Sequence, residues 1–134
     1  MFVNEFTLEE SEIAQLAEEN MFVTAKIDTI IIKNNQKLRY ISPKALSTTW
    51  NVTKEVYIQG SSQICSKDNE RDLFDIVNMF SNMTRVGLEG NDILKIPDRA
   101  FRPINGIHKH LKIVDLNRNN ATDIGDFVFS FLRS

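Results

Sequence analysis

The sequence has one cysteine among its 134 residues, a formal net charge of −2, and no long run of like charges. The lone Cys65 excludes an intrachain disulfide, and we expect it to pack as a small hydrophobic side chain. The absence of a Lys- and Arg-rich patch argues against nucleic-acid binding. A transmembrane helix needs about 18 or more apolar residues in a row, so we also expect no membrane insertion. The length predicts a single domain over residues 1–134.

The sequence also lacks the motifs that carry catalysis. It contains no G-x-S-x-G elbow, no P-loop and no Cys and His arrangement. His108 and His110 lie two residues apart and would share one face of a strand. Zinc sites, however, generally need three or four ligands, and no other His or nearby Cys is present. We therefore predict a protein that is not an enzyme and that uses no metal and no cofactor.

A recurring pattern of apolar residues followed by Asn dominates the rest of the chain. In the best-preserved copy, Met83, Val86 and Leu88 are followed by Asn91. The other copies place the same residue types at Ile27, Ile30, Ile32 and Asn35; at Val52 or Thr53, Val56, Ile58 and Ser61; and at Leu111, Val114, Leu116 and Asn119. The copies begin near residues 27, 53, 83 and 111, and a recurrence of this length predicts a repeat architecture.

Apolar pairs downstream of three copies are in register as well. Each pair follows an isoleucine by four and five residues: Ala45 and Leu46 follow Ile41, Ala100 and Phe101 follow Ile96, and Val128 and Phe129 follow Ile124. An ordinary α/β domain would not need three pairs at one fixed offset, so the repeat is the better interpretation.

The pattern resembles L-x-x-L-x-L-x-x-N, the leucine-rich repeat, and the resemblance covers residues 27–129. The I-P-x-x-A-F form at Ile96–Phe101 is similar to the typical subclass, which is common in extracellular receptors and secreted binding proteins. The resemblance implies an α/β solenoid of about four turns. It further implies a parallel sheet on the concave side, with helices and irregular turns on the convex side. The family's cysteine-rich caps are absent.

The physics of a short strand accounts for the spacing. The second and third apolar residues alternate with outward residues, so both point inward, and stacked copies bury them in one continuous core. The Asn follows the strand where the chain turns away, and its amide satisfies backbone groups that leave the sheet. We therefore expect a structural ladder at Asn35, Asn91 and Asn119.

Two helices are predicted behind the sheet. Thr7 and Glu10 fit a capping box, which predicts a helix over about 8–19. Residues 1–26 would then form an N-terminal helical cap or a partial repeat. A second helix is predicted over 66–80, because four apolar residues have helical spacing: Leu73, Ile76, Val77 and Phe80.

The outward strand positions would line the concave sheet, where such solenoids bind their partners. Tyr57 beside Ile31 is the expected hydrophobic anchor, and Arg85 with nearby carboxylates would set specificity. The alternative is that these are ordinary solvated sheet positions. The predicted partner-binding residues are Ile31, Lys33, Glu55, Tyr57, Gln59, Arg85, Glu89, Ile113, Asp115 and Asn117, with Thr29 and Gly87 between them.

Three N-x-T sequons make Asn51, Asn82 and Asn120 candidate glycosylation sites. Three sequons in a short chain favour a secreted or cell-surface glycoprotein, although the acidic N-terminus does not have the form of a secretory signal.

The sequence thus predicts a non-enzymatic protein-recognition module that binds a protein partner on its concave sheet. The alternative is a structural or assembly subunit. Solenoid ends normally carry a polar cap, and the last residues, FVFSFLRS, do not supply one. Such an end would favour homo- or hetero-oligomers.

Overall fold

The computed structural model describes residues 2–16, 25–64, 70–102, 108–126 and 128. A 3-10 helix covers Pro43–Thr49, and one α-helix, α1, covers Glu70–Val77. In chain order the strands are β1 (Phe2–Glu9), β2 (Gln15–Leu16), β3 (Lys26–Lys33), β4 (Tyr40–Ile41), β5 (Glu55–Gln59), β6 (Arg85–Gly87), β7 (Lys95–Ile96), β8 (Ile113–Asp115) and β9 (Asp123–Ile124).

The strands form a parallel solenoid. The largest sheet has five strands in the order β1-β3-β5-β6-β8, and every neighbouring pair is parallel. Behind it, β2 pairs with β4 and β7 pairs with β9, again in parallel. Parallel neighbours require a crossover between them. The chain therefore alternates between the two sides and makes about four turns.

The core lies between the large sheet and the back of the turns. The repeated apolar positions of the middle strands face it and are buried: Ile27, Ile30, Ile32, Val56, Ile58, Met83, Val86 and Leu88. The downstream residues Ala45, Leu46, Ala100, Phe101 and Val128 are buried as well, whereas Phe129 lies outside the described residues. In the second copy, Thr53 rather than Val52 is the buried first position.

The predicted helix over 8–19 is wrong for its described part, because β1 continues to Glu9 and β2 covers Gln15–Leu16. Thr7 does not cap a helix; its hydroxyl donates to the Glu5 carboxylate. The long-range pairing of β1 with β3 prevails over the local capping signal. Residues 17–24 lie outside the described residues.

The strand β1 is an additional copy of the repeat. Val3, Phe6 and Leu8 pack against the core and stand in register with the inward residues of β3: Val3 with Ile27, Phe6 with Ile30 and Leu8 with Ile32. Ser11 then occupies the Asn position, and Leu16 pairs with Ile41 at the back.

Every strand of the large sheet ends in the same turn. The residue just before the Asn or Ser position adopts a left-handed conformation in all five cases: Glu10, Asn34, Gly60, Gly90 and Arg118. The backbone N–H groups of the first four donate to the following turn, at Lys33, Gln59, Glu89 and Asn117. Left-handed backbone favours Gly and Asn, so three of the five positions carry a residue suited to it.

The helix α1 lies within the predicted range 66–80. Its apolar side is buried, and the ring of Phe74 meets Phe101 edge-on with 5.6 Å between centroids. Leu73, Ile76, Val77 and Phe80 are all buried, as their spacing requires. Cys65 lies outside the described residues.

Within the described part of the chain, no helix combines the length and the apolar character that a bilayer-spanning segment would need.

Candidate functional site

The outward residues of the five-stranded sheet form a continuous surface, here called the outer sheet face. The register places them in rows that run across the strands. One row is Glu5, Thr29, Glu55, Arg85 and Ile113, and the next is Thr7, Ile31, Tyr57, Gly87 and Asp115. A third row begins with Glu9, Lys33 and Gln59 and continues to Glu89 and Asn117 beyond the ends of β6 and β8.

All ten residues predicted for partner binding thus lie on one face. Lys33, Arg85, Ile113 and Asn117 are exposed, and the others are partly exposed. Sequence reasoning missed Glu5, Thr7 and Glu9 of β1, because it assigned that region to a helix. The alternation of Val3, Phe6 and Leu8 at the spacing of the other copies was the signal that could have found them.

Tyr57 occupies the centre of the outer sheet face and is held in place from two sides. Its hydroxyl donates a hydrogen bond of 2.5 Å to Oε1 of Glu55. The guanidinium carbon of Arg85 lies 5.9 Å from the centre of its ring, within the range of a cation–π contact. Burial, and then the hydrogen bond and negative charge of Glu55, raise the pKa of Tyr57 to about 12. The phenol therefore stays neutral and acts as a donor.

Gly87 provides the space for the Tyr57 ring. A Cβ atom at Gly87 would lie 2.6 Å from Cδ1 of Tyr57 and 3.2 Å from Cε1. Real Cβ atoms essentially never lie as close as 2.6 Å to another heavy atom, so any side chain at Gly87 would displace the ring. The register pairs Tyr57 with Gly87 on adjacent strands. The ring consequently leans over β6 rather than standing upright above β5.

Two carboxyl groups adjoin each other near the end of the same face. A hydrogen bond with Asp115 and the negative charge of Asp115 raise the pKa of Glu89, with a further small effect of burial. Arg118 and Lys33 act in the opposite direction. A neighbouring negative charge disfavours ionisation of a carboxyl group, so a cation bound beside Glu89 and Asp115 would stabilise the ionised form of Glu89.

The carboxylates of the outer sheet face accept hydrogen bonds from uncharged groups: Glu5 from Thr7, Glu55 from Tyr57, and Asp115 from the N–H of Asn117. An ion pair joins Lys37 to Glu12 in the turns that follow β1 and β3. Both partners are highly exposed, and a pair of this kind contributes little stability. The hydrogen bonds within the outer sheet face come from neutral donors, so they do not cancel the negative charge of these carboxylates.

The three asparagines of the predicted ladder each bond to the preceding turn. Asn35 donates to the carbonyl of Leu8 and accepts from the N–H of Ser11. Asn91 donates to the carbonyl of Ile58 and accepts from the N–H of Ser61. Asn119 donates to the carbonyl of Leu88 and accepts from the N–H groups of Asn91 and Ile93. These bonds align consecutive turns and thereby fix the spacing of the outer sheet face.

A buried hydroxyl cluster joins two turns at the opposite ends of the strands. Thr49 accepts from the N–H of Ile27 at 2.7 Å, and Thr53 donates to the Ile27 carbonyl at 2.6 Å. The two threonine hydroxyls also lie 2.8 Å apart. Thr53 belongs to the first sequon, so its side chain has a structural role independent of glycosylation.

The two histidines lie in different environments. His108 is buried with 2% of its surface exposed, whereas His110 is exposed. Nε2 of His108 is 2.8 Å from Oδ1 of Asn78, whose amide donates to the carbonyl of Ala100. Nδ1 of His108 is buried without a partner, and burial lowers the pKa of His108 to about 4. No group of three or more His, Cys, Asp or Glu side chains suited to a metal occurs within the described ranges.

The sequon asparagines are all exposed. Asn51 and Asn82 lie side by side on adjacent turns, where Asn82 donates to the Asn51 carbonyl and Ser81 donates to the Asn51 side chain. Asn120 lies beyond the end of β8. All three positions border the large sheet without facing outward from its strands.

Searches against protein-family models, curated proteins and solved structures found no match for this chain.

Proposed function

We propose that the chain is a leucine-rich repeat module whose outer sheet face, corresponding to the concave side, binds a protein partner. The observation that carries this proposal is the arrangement around Tyr57. A large aromatic side chain is held by Glu55, flanked by Arg85 and accommodated by Gly87, yet it remains partly exposed. Tyr and Arg are enriched among residues that dominate binding energy. A ring already fixed in one orientation loses little entropy on binding.

The proposed module is not an enzyme and needs no cofactor. The residues of the outer sheet face fit recognition rather than catalysis, because its tyrosine is held neutral and its carboxylates are solvated. The exposed sequons support a secreted or cell-surface glycoprotein. The natural place to seek the partner is therefore the extracellular fluid of the source.

The experiment is to capture partners from that fluid and to measure their affinity for the variant Tyr57→Ala with Arg85→Ala. We expect binding at least about tenfold weaker, because truncating one or two central anchors typically costs more than 1 kcal/mol. The matched control is Arg39→Ala with Tyr40→Ala. It removes the same residue types at β4, behind the large sheet.

The control variant should bind as the unaltered protein does, and both variants should melt at similar temperatures. If Arg39→Ala with Tyr40→Ala abolishes binding while the Tyr57 and Arg85 variant retains it, the partner does not bind the outer sheet face. The proposed function would then be wrong.

A second candidate function is assembly through the end of the solenoid. It is favoured by two exposed isoleucines, Ile113 with 47% exposure and Ile124 with 59%. They lie on β8 and β9, the last strands of their sheets in the part of the chain that the structure describes. Exposed edge strands readily pair with other chains. Light scattering over a range of concentrations distinguishes the two functions, since a protein that stays monomeric at high concentration contradicts assembly.

A further inference from the structure

The outer sheet face concentrates negative charge. In its three rows of residues, carboxylates outnumber cations by five to two, although the whole chain carries a formal charge of only −2. The carboxylates are Glu5, Glu9, Glu55, Glu89 and Asp115, and the cations are Lys33 and Arg85. The excess negative charge on this one face exceeds that of the entire molecule, so the remaining residues carry a slight positive excess.

The carboxylates of the outer sheet face lie on several different strands. Glu5 and Glu55 lie in one row on either side of Thr29, and Asp115 lies in the Tyr57 row beyond Gly87. Neighbouring strands are about 4.8 Å apart, so the carboxylates are spread across the whole sheet rather than gathered at one point. Arg85 lies against the Tyr57 ring, which leaves Lys33 as the cation of this face without an aromatic contact.

We propose that the partner segment that binds the outer sheet face is an extended, Lys- or Arg-rich stretch of protein. This inference rests on the proposed function and specifies the chemistry of its partner. A cationic side chain placed between Glu89 and Asp115 pairs with both and removes their mutual repulsion. Electrostatic complementarity of this kind accelerates association and excludes acidic partners. The Tyr57 ring and Ile31 supply apolar contact for the aliphatic parts of Lys and Arg side chains.

The pH dependence of binding provides one signature. The neighbouring carboxyl of Asp115 raises the pKa of Glu89, whereas a bound cation stabilises its ionised form. Binding therefore releases a proton from Glu89 in the pH range just above the ordinary pKa of Glu. The affinity for a cationic peptide should rise with pH through that range.

The test uses a displayed library of random peptides, selected on the unaltered protein. The selected peptides are then compared, by fluorescence anisotropy, on three variants. Glu89→Gln with Asp115→Asn removes two charges from the face, and Asp123→Asn with Asp126→Asn removes two exposed charges elsewhere. Tyr57→Ala, which leaves the charges of the face unchanged, reports whether a peptide binds the outer sheet face at all.

We expect the selected peptides to be enriched in Lys and Arg and to bind the Glu89 and Asp115 variant about 3- to 10-fold more weakly. The Asp123 and Asp126 variant should bind them normally. Equal weakening by both variants would overturn the inference, because total charge alone would then account for binding. Peptides that need Tyr57 but carry no basic excess would overturn it too, and would leave the proposed function standing. Peptides that bind the Tyr57→Ala variant normally would contradict both.

Discussion

Two contacts between consecutive turns differ in how they are made. Where β5 meets β6, Asn91 reaches the preceding turn and bonds to both the Ile58 carbonyl and the Ser61 N–H. Where β3 meets β5, the corresponding residue is Ser61. Its hydroxyl donates to the carbonyl of Gln59, in its own turn, at 3.4 Å, and among the described residues it makes no bond to the preceding turn. An amide is long enough to bridge two turns, and a hydroxyl is not.

The contact at Ser61 is reinforced elsewhere. The side chain of Asn34 lies so close to Gly60 that a Cβ atom there would be 2.2 Å from Oδ1. At the other end of the same two strands, Thr49 and Thr53 bond to Ile27. A solenoid therefore tolerates the loss of one ladder residue if a neighbouring polar cluster joins the same pair of turns.

The largest expected effect is that of Asn91→Ala. It leaves the carbonyls of Ile58 and Leu88 and the N–H of Ser61 without their side-chain partner in a fully buried site. The loss should be about 3 kcal/mol of unfolding free energy. Ser61→Ala should cost less than about 1 kcal/mol. Urea denaturation of both variants measures the difference, and equal losses would show that the two positions contribute alike.

Acidification should weaken a third contact, that between His108 and Asn78 at the back of the turns. The buried imidazole has a pKa lowered to about 4, so the unfolded chain binds a proton that the folded chain does not take up between about pH 6.5 and 4. The contribution of the neutral His108 ring to the free energy of unfolding is fully present above pH 6.5 and is lost as the pH falls from 6.5 to about 4.

Thermal melts across that pH range provide the measurement. His108→Gln should reduce the acid sensitivity, while His110→Gln, at an exposed position, should leave it unchanged. An identical pH dependence in all three proteins would mean that other groups cause the acid loss.

A loss smaller than that of Asn91→Ala is expected at the threonine cluster, from Thr53→Val. The variant keeps the shape but removes the donor to the Ile27 carbonyl, which should cost about 1–2 kcal/mol. Thr122→Val, at an exposed position, is the matched control. Both changes remove a sequon, so unglycosylated protein should be used. A negligible loss at Thr53 would mean that this cluster does not compensate for Ser61.

The repeat made most of the solenoid predictable. Periodic apolar residues located β3, β5, β6 and β8, and the positions of Asn35, Asn91 and Asn119 located the turns. The outward positions of those strands followed directly from alternation. The predicted site could therefore be assigned to one face of the sheet without knowledge of the strand register.

The rest depended on long-range contacts that a local pattern does not encode. Strand β1 is followed by Ser11 in place of Asn, and Thr7 and Glu10 fit a capping box, so the local signal favoured a helix. The contact of His108 with Asn78 joins residues 30 positions apart. The fit of Tyr57 over Gly87 appears only when β5 and β6 are placed side by side.

The most direct test of the account is the environment of the Asn91 side-chain amide, since its bonds align the turns that present the outer sheet face. In an NMR experiment on ¹⁵N-labelled protein, we predict slowly exchanging amide protons with nuclear Overhauser contacts to Ile58 in the preceding turn. Rapid exchange with solvent, and contacts confined to residues adjacent to Asn91 in sequence, would contradict the account.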